Sequence, residues 1–164
     1  MVSWHERDAV QDLRERLVKV GKRFVGDRPV SVEAPVHLAV YRARGDVCGV
    51  VHSHAPVATA FGIAGIEILP VVIETFPVVP KAVPIVLFEM LGSRKFADAV
   101  QTKIKACDAV VLENHGILTV GGSIETACSL NVMVEETAKL QYMATLLAGN
   151  KAISMEALKK TCQA

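Results

Sequence analysis

The 164 residues suit one domain spanning 1–164 with a well-buried core, and 51% hydrophobic against 21% charged residues is a globular balance shifted to the apolar side. A formal charge of +1 gives no electrostatic pull toward nucleic acid or an acidic membrane, and 5% aromatic residues leave little for base stacking. The start, Met-Val-Ser-Trp-His-Glu-Arg-Asp, is too polar for a secretory signal, and the most apolar stretch, 68–88, is broken by Glu74, Lys81, Pro70, Pro77, Pro80 and Pro84, which excludes a span of roughly 20 apolar residues.

In chain order, the apolar spacing of Val10, Leu13, Leu17 and Val20 predicts an amphipathic helix over 4–22, ended by Gly21 and Gly26-Asp27-Arg28-Pro29. A second helix is predicted from Glu33 to Arg44, stopped by Gly45-Asp46. Val47-Cys-Gly-Val-Val-His-Ser-His54 is short and β-branched and ends in polar residues, which reads as a buried strand opening into a site. Residues 55–64 read as helix, and the runs 68–73 and 83–88 as strands. Ser93 caps a helix to about Ala106 with Phe96, Val100 and Ile104 on one side. Asp108 to Glu113 and Ile117 to Val120 read as a strand pair around a tight turn at Asn114-His115-Gly116, closed by Gly121-Gly122. A long helix follows from Ser123 to about Leu147, apolar over so much of its circumference that burial by more than one neighbour is expected, and a short one covers 154–161. The hairpin makes the sheet mixed or antiparallel, with helices packed on it.

The four cysteines, Cys48, Cys107, Cys128 and Cys162, form no Cys-x-x-Cys pair. They read as small buried apolar residues in a reducing compartment, the cytoplasm.

The chemistry is concentrated in the histidines. His52 and His54 are one residue apart on a predicted strand, so both imidazoles point to the same face. His115, in the turn beside a second strand, can complete a three-histidine face and leave a coordination position open. The alternative is three unrelated polar residues near strand ends. Glu33 opens a helix, where the dipole favours a carboxylate, and reads either as a fourth ligand or as an ordinary first-turn charge. His37, one helical turn on, reads as a hydrogen-bonded helix histidine or a fifth site residue, and His5 as exposed.

The segments Glu33-Ala-Pro-Val-His-Leu-Ala-Val-Tyr-Arg-Ala-Arg-Gly-Asp-Val, Val50-Val-His-Ser-His-Ala-Pro-Val-Ala-Thr-Ala60 and Val110-Val-Leu-Glu-Asn-His-Gly-Ile-Leu-Thr-Val-Gly-Gly122, with the acidic helix Val134-Glu-Glu-Thr-Ala138 behind them, resemble the class II aldolase/adducin head family. That family includes L-fuculose-phosphate aldolase. The resemblance covers most of residues 31–148 and rests on separated blocks in the same order. It implies an α/β fold, a three-layer α/β/α sandwich around a mixed, largely antiparallel sheet. It implies Zn2+ or another divalent metal held by His52, His54 and His115, with Glu33 as ligand and proton carrier. It also implies a homotetramer acting on a small sugar phosphate or hydroxy-ketone, cleaved through a metal-stabilised enediolate. Epimerisation, dehydration and decarboxylation use the same site, and the adducin head represents a non-catalytic alternative.

The chain departs from the family pattern ahead of Glu33. The Gly-Asn-x-Ser and Thr-Pro-x-Gly loops that bind phosphate in the aldolases are missing, and the usual Ser-Ser before the glutamate is Ser31-Val32. Phosphate contacts then fall to Arg28, Lys81, Arg94 or a helix N-terminus, each of which also reads as plain surface charge. No tyrosine matches the one that aldolases borrow from a neighbouring subunit. Glu74 is either its substitute or a surface glutamate.

Overall fold

The computed structural model describes residues 2–6 (backbone), 31–79 and 81–148. Its elements are β1 Val2–Glu6, α1 Ala34–Ala43, β2 Gly49–Ser53, α2 Pro56–Ala64, β3 Ile85–Val86, α3 Arg94–Ile104, β4 Ala109–Leu112, β5 Gly116–Gly121 and α4 Ile124–Ala148.

The strands lie in the order β1-β2-β5-β4-β3. Only β3 and β4 run parallel, and the other neighbours are antiparallel. The sheet is therefore mixed and largely antiparallel. Alternation along β2, β4 and β5 sends Val50, Val110, Leu112, Leu118 and Val120 to one face, where they meet Val36 and Val40 of α1 and Phe96, Val100 and Ile104 of α3. Ala109, Val111 and Ile117 go to the other face, against Ala58 and Phe61 of α2 and Leu130, Val134 and Ala138 of α4. Each fully buried valine, leucine or isoleucine contributes about 1.5–3 kcal/mol, so the two clusters hold the three layers together. Ser93 caps α3 as its sequence position predicts, accepting the Phe96 N–H at 3.1 Å.

Several expectations need correction. Residues 4–6 are not the start of a helix. They belong to β1, whose register pairs Trp4 with Val51 and His5 with Val50. Pairing along a sheet edge outweighs the helical spacing there. Residues 7–22, Arg28 and the helix at 154–161 lie outside the described residues. The runs 68–73 and 83–88 shrink to a single bridge between Ile68 and Val83 and the two-residue β3. Turns fill 72–78, tied by Val79 N–H to the Thr75 carbonyl at 2.7 Å, and the prolines of this stretch remove donors a ladder needs. Cys48 and Cys128 are exposed and Cys107 half-buried, so the described cysteines are not core residues. The long helix does pack against more than one neighbour, β2, β5 and α2, but on one side only, so Val132, Leu140, Tyr142, Met143, Leu146 and Leu147 remain exposed on the rest. Among the described residues, no helix is long and apolar enough to cross a membrane.

Candidate metal centre

Three chain segments converge at one end of the sheet. The β2–β5 register sets His52 opposite Leu118 and Ser53 opposite Ile117. The end of β2 therefore lies beside the turn carrying His115. His54 stands one residue beyond the strand and returns to the face of His52. Asn114 makes the turn with φ of 58°, a left-handed conformation that its side chain tolerates. Gly116 follows where a Cβ would run into the Ser53 carbonyl and the His52 ring. A Gly116→Ala variant is expected to lose about 2 kcal/mol in urea unfolding, as overpacked sites do. An unchanged midpoint would show that the β2–β5 contact is looser than described.

Glu33 arrives from the start of α1. Its backbone N–H donates to Ser31 Oγ at 3.2 Å, and its side chain makes no capping hydrogen bond to the helix. The carboxylate instead meets the histidines. Its Oε1 is 3.1 Å from His52 Nε2 and 3.2 Å from His115 Nε2. The imidazole centroids are 4.5 Å apart for His52 and His115, and 5.1 Å for each pairing with His54. Glu33, His52, His54 and His115 each offer a ligand atom, and all four atoms lie within 4.8 Å of one another. Ligands at about 2.1 Å around a tetrahedral ion stand about 3.4 Å apart, so the group needs only a small contraction to enclose one.

His52 Nδ1 lies 2.9 Å from the Ile117 carbonyl. A carbonyl only accepts, so Nδ1 carries the proton and Nε2 keeps its lone pair for the centre. Among the described residues, two buried nitrogens make no hydrogen bond: His115 Nδ1 has no partner, and His52 Nε2, with its lone pair free, faces the Glu33 carboxylate, an acceptor like itself. Buried polar atoms are almost always paired, and two orphans in one cluster of metal-ligating side chains fit a cation. Burial, and after it the charge of His52, pushes His54 and His115 below the ordinary histidine value, although Glu33 pulls the other way. Imidazoles held neutral are the form that ligates.

The remaining sequence candidates fall outside this group. His37 is buried and lines a small void of about 10 Å³ with Glu33, His52, Phe96 and His115, but it is not one of the four. Glu74 is exposed in the 72–78 turns. Lys81 lies in a cleft with Arg44 and Asp108, at the far end of β4 from His115. Arg94 is almost fully exposed and pairs with Asp98 at 3.6 Å.

The family profile described as class II aldolase and adducin N-terminal domain matches residues 7–142. This chain belongs to that family. A 5-deoxy-D-ribulose 1-phosphate aldolase of Bacillus thuringiensis serovar kurstaki is 31% identical over 122 residues, which cover 74% of this chain and 57% of the relative. An L-fuculose phosphate aldolase of Methanococcus maripaludis is 31% identical over 134 residues, covering 82% of this chain and 68% of the relative. This class II aldolase family member thus spans between just over half and about two thirds of the length of these curated relatives. A solved L-fuculose-1-phosphate aldolase from Thermus thermophilus is 27% identical, with a TM-score of 0.68 over 77% of this chain and 68% of its own. A solved L-fuculose 1-phosphate aldolase superposes with a TM-score of 0.74 over 87% of this chain and 68% of its own; at 24% identity that likeness supports the fold. The three-layer class II aldolase fold implied by the resemblance is the one observed.

Sequence reasoning missed the contacts of two residues on α4: Asn131 Oδ1 accepts the Ser53 hydroxyl at 2.6 Å, and Glu135 accepts the N–H groups of Val57 and Ala58. The available signal was a polar residue inside the apolar run Leu130-Asn-Val-Met-Val134, on the face that also carries Ala127 and Ala138.

Proposed function

We propose that this protein is a metal-dependent lyase that cleaves a small ketose phosphate or hydroxy-ketone by retro-aldol chemistry, as a single domain over residues 1–164. The observation that carries the reading is the convergence of Glu33, His52, His54 and His115 within 4.8 Å, with two buried imidazole nitrogens that make no hydrogen bond among the described residues. The kinship with sugar-phosphate aldolases supports it.

Zinc suits a donor set of three imidazoles and one carboxylate. A divalent ion held there supplies Lewis-acid charge to a carbonyl and its neighbouring hydroxyl. His52, locked by the Ile117 carbonyl, fixes one imidazole without induced movement. His54, the exposed member, faces the side from which substrate enters. Glu33 touches two imidazoles and carries the only carboxylate of the four, so it takes the proton from a substrate hydroxyl and returns it. Ser31 is committed to the Glu33 N–H, Arg94 is exposed and paired with Asp98, and Lys81 lies in the cleft with Arg44 and Asp108. An unphosphorylated hydroxy-ketone is therefore as good a substrate class as a sugar phosphate. We also propose a homo-oligomer, up to a tetramer, in the cytoplasm, with the exposed apolar side of α4 as part of the contact. Light scattering at a monomer mass would remove that element.

Purified protein is expected to carry about one equivalent of divalent metal and to release aldehyde from ketose 1-phosphates or their unphosphorylated counterparts. Chelation should stop turnover, and zinc should restore it. No turnover on any of these substrates in metal-loaded protein would sink the lyase reading. Metal retention should also depend on pH. His54 and His115 titrate below the ordinary value of 6.5, so the fold favours their neutral form. That contribution is complete above pH 6.5 and is lost as pH falls through their lowered values. Metal should be held at neutral pH and released on acidification through that range. Retention that does not change with pH would argue against imidazole ligands.

A further inference from the structure

The opposite side of β2 carries a polar cluster that the chemistry above does not use. Alternation turns Ser53 away from His52 and toward α4. The Ser53 hydroxyl donates to Asn131 Oδ1 at 2.6 Å, Asn131 Nδ2 donates to Thr119 Oγ1 at 3.2 Å, and the Thr119 hydroxyl donates to the Ala127 carbonyl at 2.8 Å. Ser53 is 9% exposed, Asn131 7% and Thr119 0%, so the chain of bonds is shielded from water. One turn further along α4, Glu135 accepts the N–H groups of Val57 at 3.2 Å and Ala58 at 2.9 Å. These are orphan donors in the first turn of α2, whose own N-cap, Ala55, offers no side-chain acceptor.

α4 therefore holds the chain on both sides of His54, through Ser53 before it and through the start of α2 after it. The surrounding face of α4 is built from Ala127, Val134 and Ala138, against which apolar residues would pack at little cost. A fully partnered buried polar cluster in that setting selects one geometry. We propose that Asn131 and Glu135 are positioning residues of the metal centre. Asn131 sets the Ser53 backbone, and with it the angle between His52 and His54. Glu135 fixes the His54-Ala55-Pro56 corner. Neither belongs to the four-ligand group, and both act through the segment that carries two of the ligands. The inference rests on the metal reading above.

The test uses the full chain as wild type and as Asn131→Ala, Asn131→Asp, Glu135→Ala and Glu135→Gln. Metal-free protein is titrated with Zn2+ against a chromophoric chelator, and the visible spectrum of Co2+-loaded protein reports ligand geometry. Circular dichroism and thermal unfolding of the metal-free forms report the fold separately. Folded alanine variants are expected to bind Zn2+ about 10–100-fold more weakly, as loss of outer supporting contacts does, with a shifted Co2+ spectrum. Glu135→Gln keeps one acceptor oxygen of two and should lose less than Glu135→Ala. Should the alanine variants not fold, the Asp and Gln variants carry the test, with weaker Zn2+ binding and a shifted Co2+ spectrum expected in the same direction and a smaller loss for Glu135→Gln. A merely structural role lowers the metal-free melting temperature and leaves affinity and spectrum unchanged. That outcome, beside a wild type that binds tightly, overturns the positioning roles alone. A wild type that binds no ion overturns the metal reading and this inference together.

Discussion

A His115→Ala variant is expected to lose its metal and keep its fold. The His115 ring stands within reach of Glu33, His52 and His54, and its Nδ1 has no hydrogen-bond partner to lose. Removing it costs the fold its 3.2 Å contact with the Glu33 carboxylate and its ring contact with Phe96, whose centroid is 6.2 Å away, both at the edge of the site rather than in the core clusters. The cost to the ion is larger. Four-ligand structural zinc sites bind with about 10–16 kcal/mol, or roughly 3 kcal/mol per ligand, so the loss is about 100-fold or more. Elemental analysis after dialysis reads the metal, and circular dichroism reads the fold. His52→Ala should release metal as well, but it also removes the Nδ1–H bond to Ile117 from a buried position, so some stability goes with it. Full metal occupancy in folded His115→Ala protein would end the assignment of this residue.

Glu33→Gln separates chemistry from metal holding. Glutamine keeps the shape and one acceptor oxygen beside His52 and His115, and the three imidazoles remain, so the ion should stay with only modest weakening. What disappears is the group that can exchange a proton. Turnover should fall by roughly 10²–10⁴-fold, the usual contribution of a positioned acid or base. Steady-state assays alongside metal analysis check both halves. If the variant matches wild type in turnover, Glu33 is a ligand without a proton-transfer role. If every property of the chain is unaltered, the reading of a non-catalytic module gains ground.

Much of the middle of the chain was legible because local signals and tertiary packing agree there. The β-branched run before His52, the Ser93 cap and the spacing of Phe96, Val100 and Ile104 each predict what is observed, to within a residue or two. Residues 4–6 and 68–88 were misread because the competing influence was not local. At the start of the chain the influence was the open edge of β2, and in the second stretch it was the prolines. The site divides in the same way. Period-two alternation was enough to aim His52 and His54 together, and their convergence with His115 follows from the antiparallel register of β2 and β5. Glu33 carried no such signal. A carboxylate at a helix start is ordinary, and only the family resemblance picked it out before its 3.1 Å approach to His52 was visible. Asn131 stood out as a polar residue in an apolar run, but the partners of Asn131 and Glu135 were out of reach, because Ser53 and the N–H groups of Val57 and Ala58 lie more than seventy residues away.

The placement of β1 has a practical side. Val2 sits directly across from Ser53, and directly opposed residues of antiparallel strands are about 4.5–5.5 Å apart. Any peptide fused ahead of Val2 would emerge next to the His52–His54 segment. A polyhistidine purification handle put there brings extra imidazoles to the centre's doorstep, where they can scavenge metal or lend it. Metal stoichiometry measured on such material would describe the handle as much as the site, so a handle used for that purpose belongs elsewhere.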